Sequence, residues 1–459
     1  MKNNASILQT EHVSNILIGF QTIKASARKN LQHHSLNHLA AWIDQAVVSG
    51  ASFLALVVLG RWAGPDQLGA YAIGMSVLTL LMSAQHSLIT RPYSIRLDLA
   101  PGEPSQQAFN TLALSILFSA GAVFLLAASA LTLSAFNDSH GLVKMAWALS
   151  LATPFVMLRE YARKFAFAHL RMIDALIVDA VVAVVSFGLL FWLHWTDQLS
   201  AITAIITVGL SCAVGAFGWL FASRNAFTAC LKLLTATMKS NWSMGKWFLS
   251  GQIAMQIQGY VVYWLTLAIV GVTATGVFTA CMSIVAFANP ILFGFFNVLT
   301  PKSVRVLRNE GATGLRRQAA LDSLLLAALM GAFCILVVTV GSDVMEFLYP
   351  GPNFQGYGHI LIVLALSAFA GAIGVPASVA LASAEHARAV AGVMSAIALL
   401  NVILVWIFMT RWGLLGAAYA VLIVEAIGSL VHWLVFIALV QDKQAPTERV
   451  IVNEVQTNR

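Results

Sequence analysis

Along the chain, long apolar runs alternate with short polar breaks. From residue 39 onward, twelve of the runs approach the roughly 20 residues a helix needs to cross a bilayer. They are predicted at residues 39–59, 68–89, 109–133, 142–158, 172–193 and 202–221 in the first half, and at 247–270, 273–299, 319–340, 360–381, 389–409 and 414–439 in the second. The pattern predicts an all-α polytopic membrane protein: about twelve helices in two six-helix bundles around a central cavity. The corresponding organisation is an N-terminal tail (1–38), a first bundle (39–221), a linker (222–246), a second bundle (247–440) and a C-terminal tail (441–459). The first tail is polar and basic, and its apolar piece at 16–20 is too short for a signal-peptide core.

Polar residues inside the runs are not scattered. In the second run Ser76, Thr79, Ser83, His86 and Thr90 fall three or four apart, on one helical face. The first run carries Gln45, Ser49 and Ser52 with Asp44 beside them. The seventh carries Gln252, Gln256, Gly259 and Tyr263, and the eighth Thr279, Ser283, Pro290 and Asn297. Hydrocarbon would leave such groups unsatisfied, so each stripe is expected to face protein or a water-filled cavity. Any one stripe alone reads as helix-packing glue. Two pairs of corresponding helices carrying them read as a lumen.

The halves also repeat in outline. LGRWAGPDQLGAYAIG, around the second run, has a counterpart in WLTLAIVGVTATGVF around the eighth, with Gly69 answering Gly276, Tyr71 answering Phe278 and Pro92 answering Pro301. The register slips by two residues before the last match. Six spans is an even number, so the two halves share one orientation, related by an axis along the membrane normal, as two-lobed alternating-access transporters require.

Composition agrees with the pattern. The 459 residues are 59% hydrophobic and 10% charged, where a globular domain carries roughly a quarter charged residues. Mean hydropathy is +0.82. The net charge of +7 would suggest nucleic acid in another class of chain, but here the bases report orientation. With the N-terminus inside, all of the 26 Lys and Arg residues except Arg61, Lys144 and Arg411 fall on the cytoplasmic side, which puts both termini there. The four cysteines lie far apart, without metal or disulfide spacing, and read as core residues. No cofactor is implied.

Acids within or near spans are Asp44, Asp174, Asp179, Asp322 and Glu425. Asp44, Asp174 and Asp322 lie close to a cytoplasmic end, where a solvated carboxylate is ordinary. Asp179 and Glu425 are deep, and are the candidates for an ion- or proton-coupling site or a structural polar role. Pro154, Pro290 and Pro376 interrupt spans and read as hinges or static kinks.

The run from Asp44 to Arg96, with DQAVVSGASFL, LGRWAGPDQLGAYAIG and QHSLITRP, resembles the N-terminal pattern of the polysaccharide-transporter branch of the multidrug/oligosaccharidyl-lipid/polysaccharide exporter superfamily. Arg159, Arg163 and Arg171, expected in a loop after the fourth span, resemble that family's basic segment, whereas the tenth span is followed by Arg388 alone. The resemblance implies a flippase in the bacterial inner membrane that moves a polyprenyl-diphosphate-linked oligosaccharide between leaflets for surface-polysaccharide export, with a polysaccharide polymerase or export machinery as candidate partner.

A diphosphate and its sugars cannot cross hydrocarbon unaided, so cationic and hydrogen-bonding walls are needed. The phosphate candidates are Arg61, Arg91 and Lys246, with Arg96 and Lys302 behind them, because guanidinium and ammonium groups pair with phosphate oxygens. For Arg91, Arg96 and Lys302 the competing reading is a positive-inside anchor. The lumen candidates are Asp44, Gln45, Ser83, His86, Gln252, Gln256, Tyr263 and Asn297, and Tyr260, Tyr263 and Trp264 offer either sugar stacking or interfacial anchoring. The alternative within the same architecture is an Na+- or H+-coupled small-molecule or drug exporter. A membrane polymerase or ligase would need a sizeable outer loop with catalytic groups, and the outer loops here are short. No nucleotide-binding loop, zinc motif or nucleophile elbow occurs, so the chain is expected not to be an enzyme.

Overall fold

In the computed structural model, residues 39–97, 103–135, 140–230 and 233–441 are described. The N-terminal tail and most of the C-terminal tail lie outside them, as does the side chain of Asn297. Among the described residues every regular element is helical. The first half contains α1 (Leu39–Ala63), α2 (Pro65–Arg96), α3 (Pro104–Ala135), α4 (His140–Ala168), α5 (Met172–Trp195) and α6 (Ala201–Ala222). The second contains α7 (Leu234–Ile269), α8 (Val272–Val285), α9 (Asn289–Leu348), α10 (Gly358–Ser383) and α11 (Ala387–Leu439).

Nine of the described helices are long and apolar enough to cross a membrane. Two cannot be single crossings. The stretch Val272–Leu348 runs 77 residues, far more than the ~20 that a bilayer needs. The backbone leaves helical geometry at Gly311 (φ 70°) in α9 and at Gly413 (φ 59°) in α11, each a left-handed turn that only glycine enters freely. Both glycines fall where the hydropathy pattern places breaks.

Helix α4 corrects one expectation. The basic run after Pro154 was expected to leave the span as a loop, yet α4 continues to Ala168 and carries Arg159 and Arg163 inside it. The charges are compatible with helix because neighbouring helices supply partners for them. Pro154 and Pro376 sit within α4 and α10, and Pro301 within α9, while Pro290 stands in the first turn of α9, where its missing N–H costs nothing. Helix α2 instead bends through a π turn at His86–Thr90.

The cores divide by half. Leu59, Tyr71, Leu78, Leu149, Val156 and Ile205 build one cluster, wholly from the first half. The largest cluster belongs to the second half, around Phe278, Tyr349, Leu361 and Val405, but it takes in Val57 and Leu68 from the first. The two bundles therefore share packing at one end, the end that the loop charges assign to the outer side.

Candidate functional site

The first bundle encloses a charged cluster. Arg159 and Arg163 are one turn apart and share a face of α4, which turns them toward α1 and α5. Arg159 Nη2 lies 2.5 Å from Asp179 Oδ1, and Arg163 Nε lies 3.0 Å from Asp179 Oδ2. Arg163 Nη2 also donates to Asp44 Oδ2 at 2.9 Å and reaches Gln45 Oε1 at 3.5 Å. Both aspartate side chains are fully buried, so Asp44 is not the solvated end-of-helix carboxylate that its position suggested. Glu160 joins at 3.4 Å from both Arg159 and Lys164. Three carboxylates thus face three cations, and the cluster is neutral as a whole.

Beside it lies a cavity of about 240 Å³ between α1, α2, α4, α5 and α6. Arg159 and Asp179 contribute its charged groups, and Ser52, Thr79, Ser186 and Thr207 its hydroxyls. Two guanidiniums and the Asp44 carboxyl crowd Asp179, while Arg159 Nε has no hydrogen-bond partner.

The polar stripes of α2 and α7 meet each other along the boundary between the bundles. Trp264 Nε1 donates to Ser76 Oγ at 2.8 Å. Gln256 Nε2 donates to Ser83 Oγ and, at 3.4 Å, to the carbonyl of Thr79. Further along, Gly245 brings α7 onto the backbone of Ser87 and Leu88, and the Arg91 guanidinium lies 3.9 Å from the Phe248 ring centroid. His86 Nδ1 is paired within α2, 2.8 Å from Thr90 Oγ1. Gln252 is half-buried on the same helix as Gln256, and Tyr263 packs edge-on against Phe278, 5.3 Å between ring centroids.

At the end where α2 and α8 begin the seal is tighter. Gly64 (φ 86°) and Gly271 (φ 113°) begin α2 and α8, and five residues on, Gly69 and Gly276 bring the two helix backbones into contact. A Cβ on Gly69 would collide with the Val272 carbonyl, and one on Gly276 would lie 2.6 Å from the Pro65 carbonyl carbon. Thr273 Oγ1 donates to Asp66, Tyr349 packs over Gly60, and Arg61 Nη1 donates to the Phe347 carbonyl at 2.9 Å.

The phosphate candidates are not gathered in one place. Arg61 ties α1 to the last turn of α9. Arg91 and Lys246 flank the α2–α7 contact, with Lys246 Nζ 5.5 Å from the Trp247 ring centroid. Arg96 is half-buried near the end of α2. Lys302 is bound by Asp322 at 2.8 Å, and Gln318 donates to the same carboxylate oxygen at 3.0 Å. In the second bundle Glu425 sits against Gly371, where a Cβ would lie 2.5 Å from Oε2, and bonds the side chain of Gln258. Asn401 donates to the Gln258 carbonyl at 3.0 Å, and its own Oδ1 is buried without a hydrogen-bond partner. The residues that pattern reading undervalued are Arg159 and Arg163. Their four-residue spacing inside an apolar helix was the available signal.

No family model matches this sequence, and no curated protein matches it. Solved structures do. An inward-facing multidrug-resistance MATE family transporter of the MOP superfamily superposes with TM-score 0.69 at 14% identity, over 87% of this chain and 97% of that one. The lipid II flippase MurJ in an inward closed conformation gives 0.63 at 15% identity, over 87% of each chain. The Vibrio cholerae MATE transporter VcmN, as a point mutant, gives 0.59 at 14% identity, over 89% and 97%. At such identities the likeness establishes the fold that these transporters and the flippase share.

Proposed function

We propose that this chain is a flippase that carries a polyprenyl-diphosphate-linked oligosaccharide across the bacterial inner membrane by alternating access, for surface-polysaccharide export. The observation that carries the reading is the boundary between the bundles. Helix α2 meets α7 along a hydrogen-bonded polar seam, and backbone contacts close it at both ends, at Gly69 and Gly276 between α2 and α8 and at Gly245 of α7 against Ser87 and Leu88. Two lobes joined in this way can rock about the seam and expose the interior to either side in turn. Counting α8 and α9 together as two crossings and α11 as two, and adding α7, gives twelve spans, a number that puts both termini on one side, the cytoplasmic one in this reading. In this orientation Arg91 and Lys246, which flank the α2–α7 contact, would meet a lipid diphosphate at the inner mouth, and its tail stays in the bilayer.

The drug-exporter reading is favoured by one observation, the acid Glu425 within a span, bonded to the Gln258 side chain and packed against Gly371, which suits an ion-coupling role. A single experiment separates the two. In cells lacking the gene, surface polymer and polyprenyl-diphosphate oligosaccharide are quantified by leaflet. Loss of polymer with the lipid-linked unit accumulating in the inner leaflet supports the flippase. Unchanged lipid intermediates with new sensitivity to amphipathic cations support the exporter.

A further inference from the structure

Resting on that reading, we propose that the cavity inside the first bundle receives one sugar ring of the substrate, an uncharged sugar bearing an apolar substituent such as an N-acetyl or 6-deoxy group. Size is the first argument. At about 240 Å³ the cavity is smaller than the ~300–1,000 Å³ of pockets for drug-sized ligands, which leaves room for a ring and a substituent but not for a diphosphate with several sugars.

Charge is the second argument. Asp44, Asp179 and Glu160 balance Arg159, Arg163 and Lys164, so an anion entering the cavity would meet the Asp179 carboxylate, and a cation the Arg159 guanidinium, with no net field to favour either. A neutral polyol meets no such penalty.

The third argument is unspent hydrogen-bonding capacity. Asp179 is fully buried at the cavity wall, and its contacts to Arg159 and Arg163 leave part of a carboxylate's roughly four acceptor sites open, while Arg159 Nε has no hydrogen-bond partner. Ser52 and Thr79 donate to carbonyls of their own helix at 2.8 Å and keep their acceptor lone pairs. A carboxylate and hydroxyl oxygens that accept, with a guanidinium that donates, are the complement of adjacent sugar hydroxyls. The remaining walls, including Phe187, Leu190 and Val208, are apolar and suit a C–H face with a methyl or acetyl group rather than a fully hydroxylated rim. Access from the seam is short, because Thr79 lines the cavity while its carbonyl accepts from Gln256 of the other bundle.

The test uses the purified full chain in lipid nanodiscs, with saturation-transfer NMR on the methyl glycosides of N-acetylglucosamine, rhamnose, glucose and glucuronate, and with inorganic diphosphate as competitor. Transfer is expected to the N-acetyl and 6-deoxy glycosides above the other two, to persist with excess diphosphate, and to vanish in Ser186→Trp, which fills the cavity from α5. Ala51→Phe fills it from α1 and serves if the first variant does not insert. The proposal is overturned if no glycoside receives transfer, if glucuronate binds best, if diphosphate displaces the glycosides, or if binding survives both fillings. Leaflet-resolved lipid analysis of the same strains separates the two levels. Wild-type flipping without glycoside binding sinks the cavity assignment alone, and glycoside binding without any effect of gene loss on lipid intermediates sinks the flippase reading alone.

Discussion

Arg163 reaches two carboxylates from two other helices, Asp44 on α1 and Asp179 on α5, and its side chain is only 13% exposed. Removing one member of such a group leaves buried charge without a counterion, which costs about 3–5 kcal/mol. Arg163→Ala is therefore expected to lower the detergent-solubilised unfolding temperature sharply. Asp44→Asn combined with Arg163→Gln should cost less than the sum of the single changes, because the double variant removes both ends of one pair. Additive losses in thermal melts would refute the pairing. Arg61 tests a different kind of contact. It is exposed, and its hydrogen bond to Phe347 caps the end of α9, so Arg61→Ala should cost no more than about 1 kcal/mol of stability. If Arg61 acts only as that cap, Arg61→Gln, which keeps a donor, restores wild-type transport; if it holds phosphate, the neutral variant stays impaired.

Between helices, the decisive contact is the crossing of α2 and α8. Gly69 and Gly276 allow backbone to touch backbone there, and an added methyl on either would have to push the helices apart. Gly69→Ala and Gly276→Ala are expected to bias the protein toward an outer-open state, read as faster modification from outside of a cysteine placed at Thr79. Gly50→Ala and Gly251→Ala, where a methyl meets open space, should leave that rate unchanged. The sequence made much of this scale readable. Hydropathy places breaks around Gly311 and Gly413, and the internal repeat sets Gly69 opposite Gly276, although a repeat does not say that the two glycines touch. What stayed hidden was every fact that depends on a partner. Arg159 and Arg163 look like loop bases until Asp44 and Asp179 are seen to neutralise them. Likewise, the stripe on α2 looks like a channel wall until Gln256 and Trp264 are seen to fill it. Periodicity reports which face is polar and is silent about what that face meets.

At the scale of the molecule, the sealed end and the polar seam define one conformation of a two-lobed body. Asp66 and Thr273 touch across the seal, so a cysteine at each should form a disulfide that holds the outer side shut. Transport is expected to stop under mild oxidant and resume on reduction. Cys212, Cys281 and Cys334 are buried, and the half-buried Cys230 is replaced by serine for this measurement. Persistent transport in the cross-linked protein would show that the α2–α8 contact need not open.

The neutral cluster also bears on how the chain is made. Helix α4 carries Arg159, Glu160, Arg163 and Lys164 within six residues, and a central Arg or Lys costs roughly 2.5–3.5 kcal/mol when a segment partitions alone from the translocon into lipid. Asp44 has already been synthesised when α4 emerges, but Asp179 has not. Co-insertion of α4 and α5 as a hairpin, with their charges already joined, is therefore the expected route, and a chain truncated after α4 should integrate less efficiently than one truncated after α5.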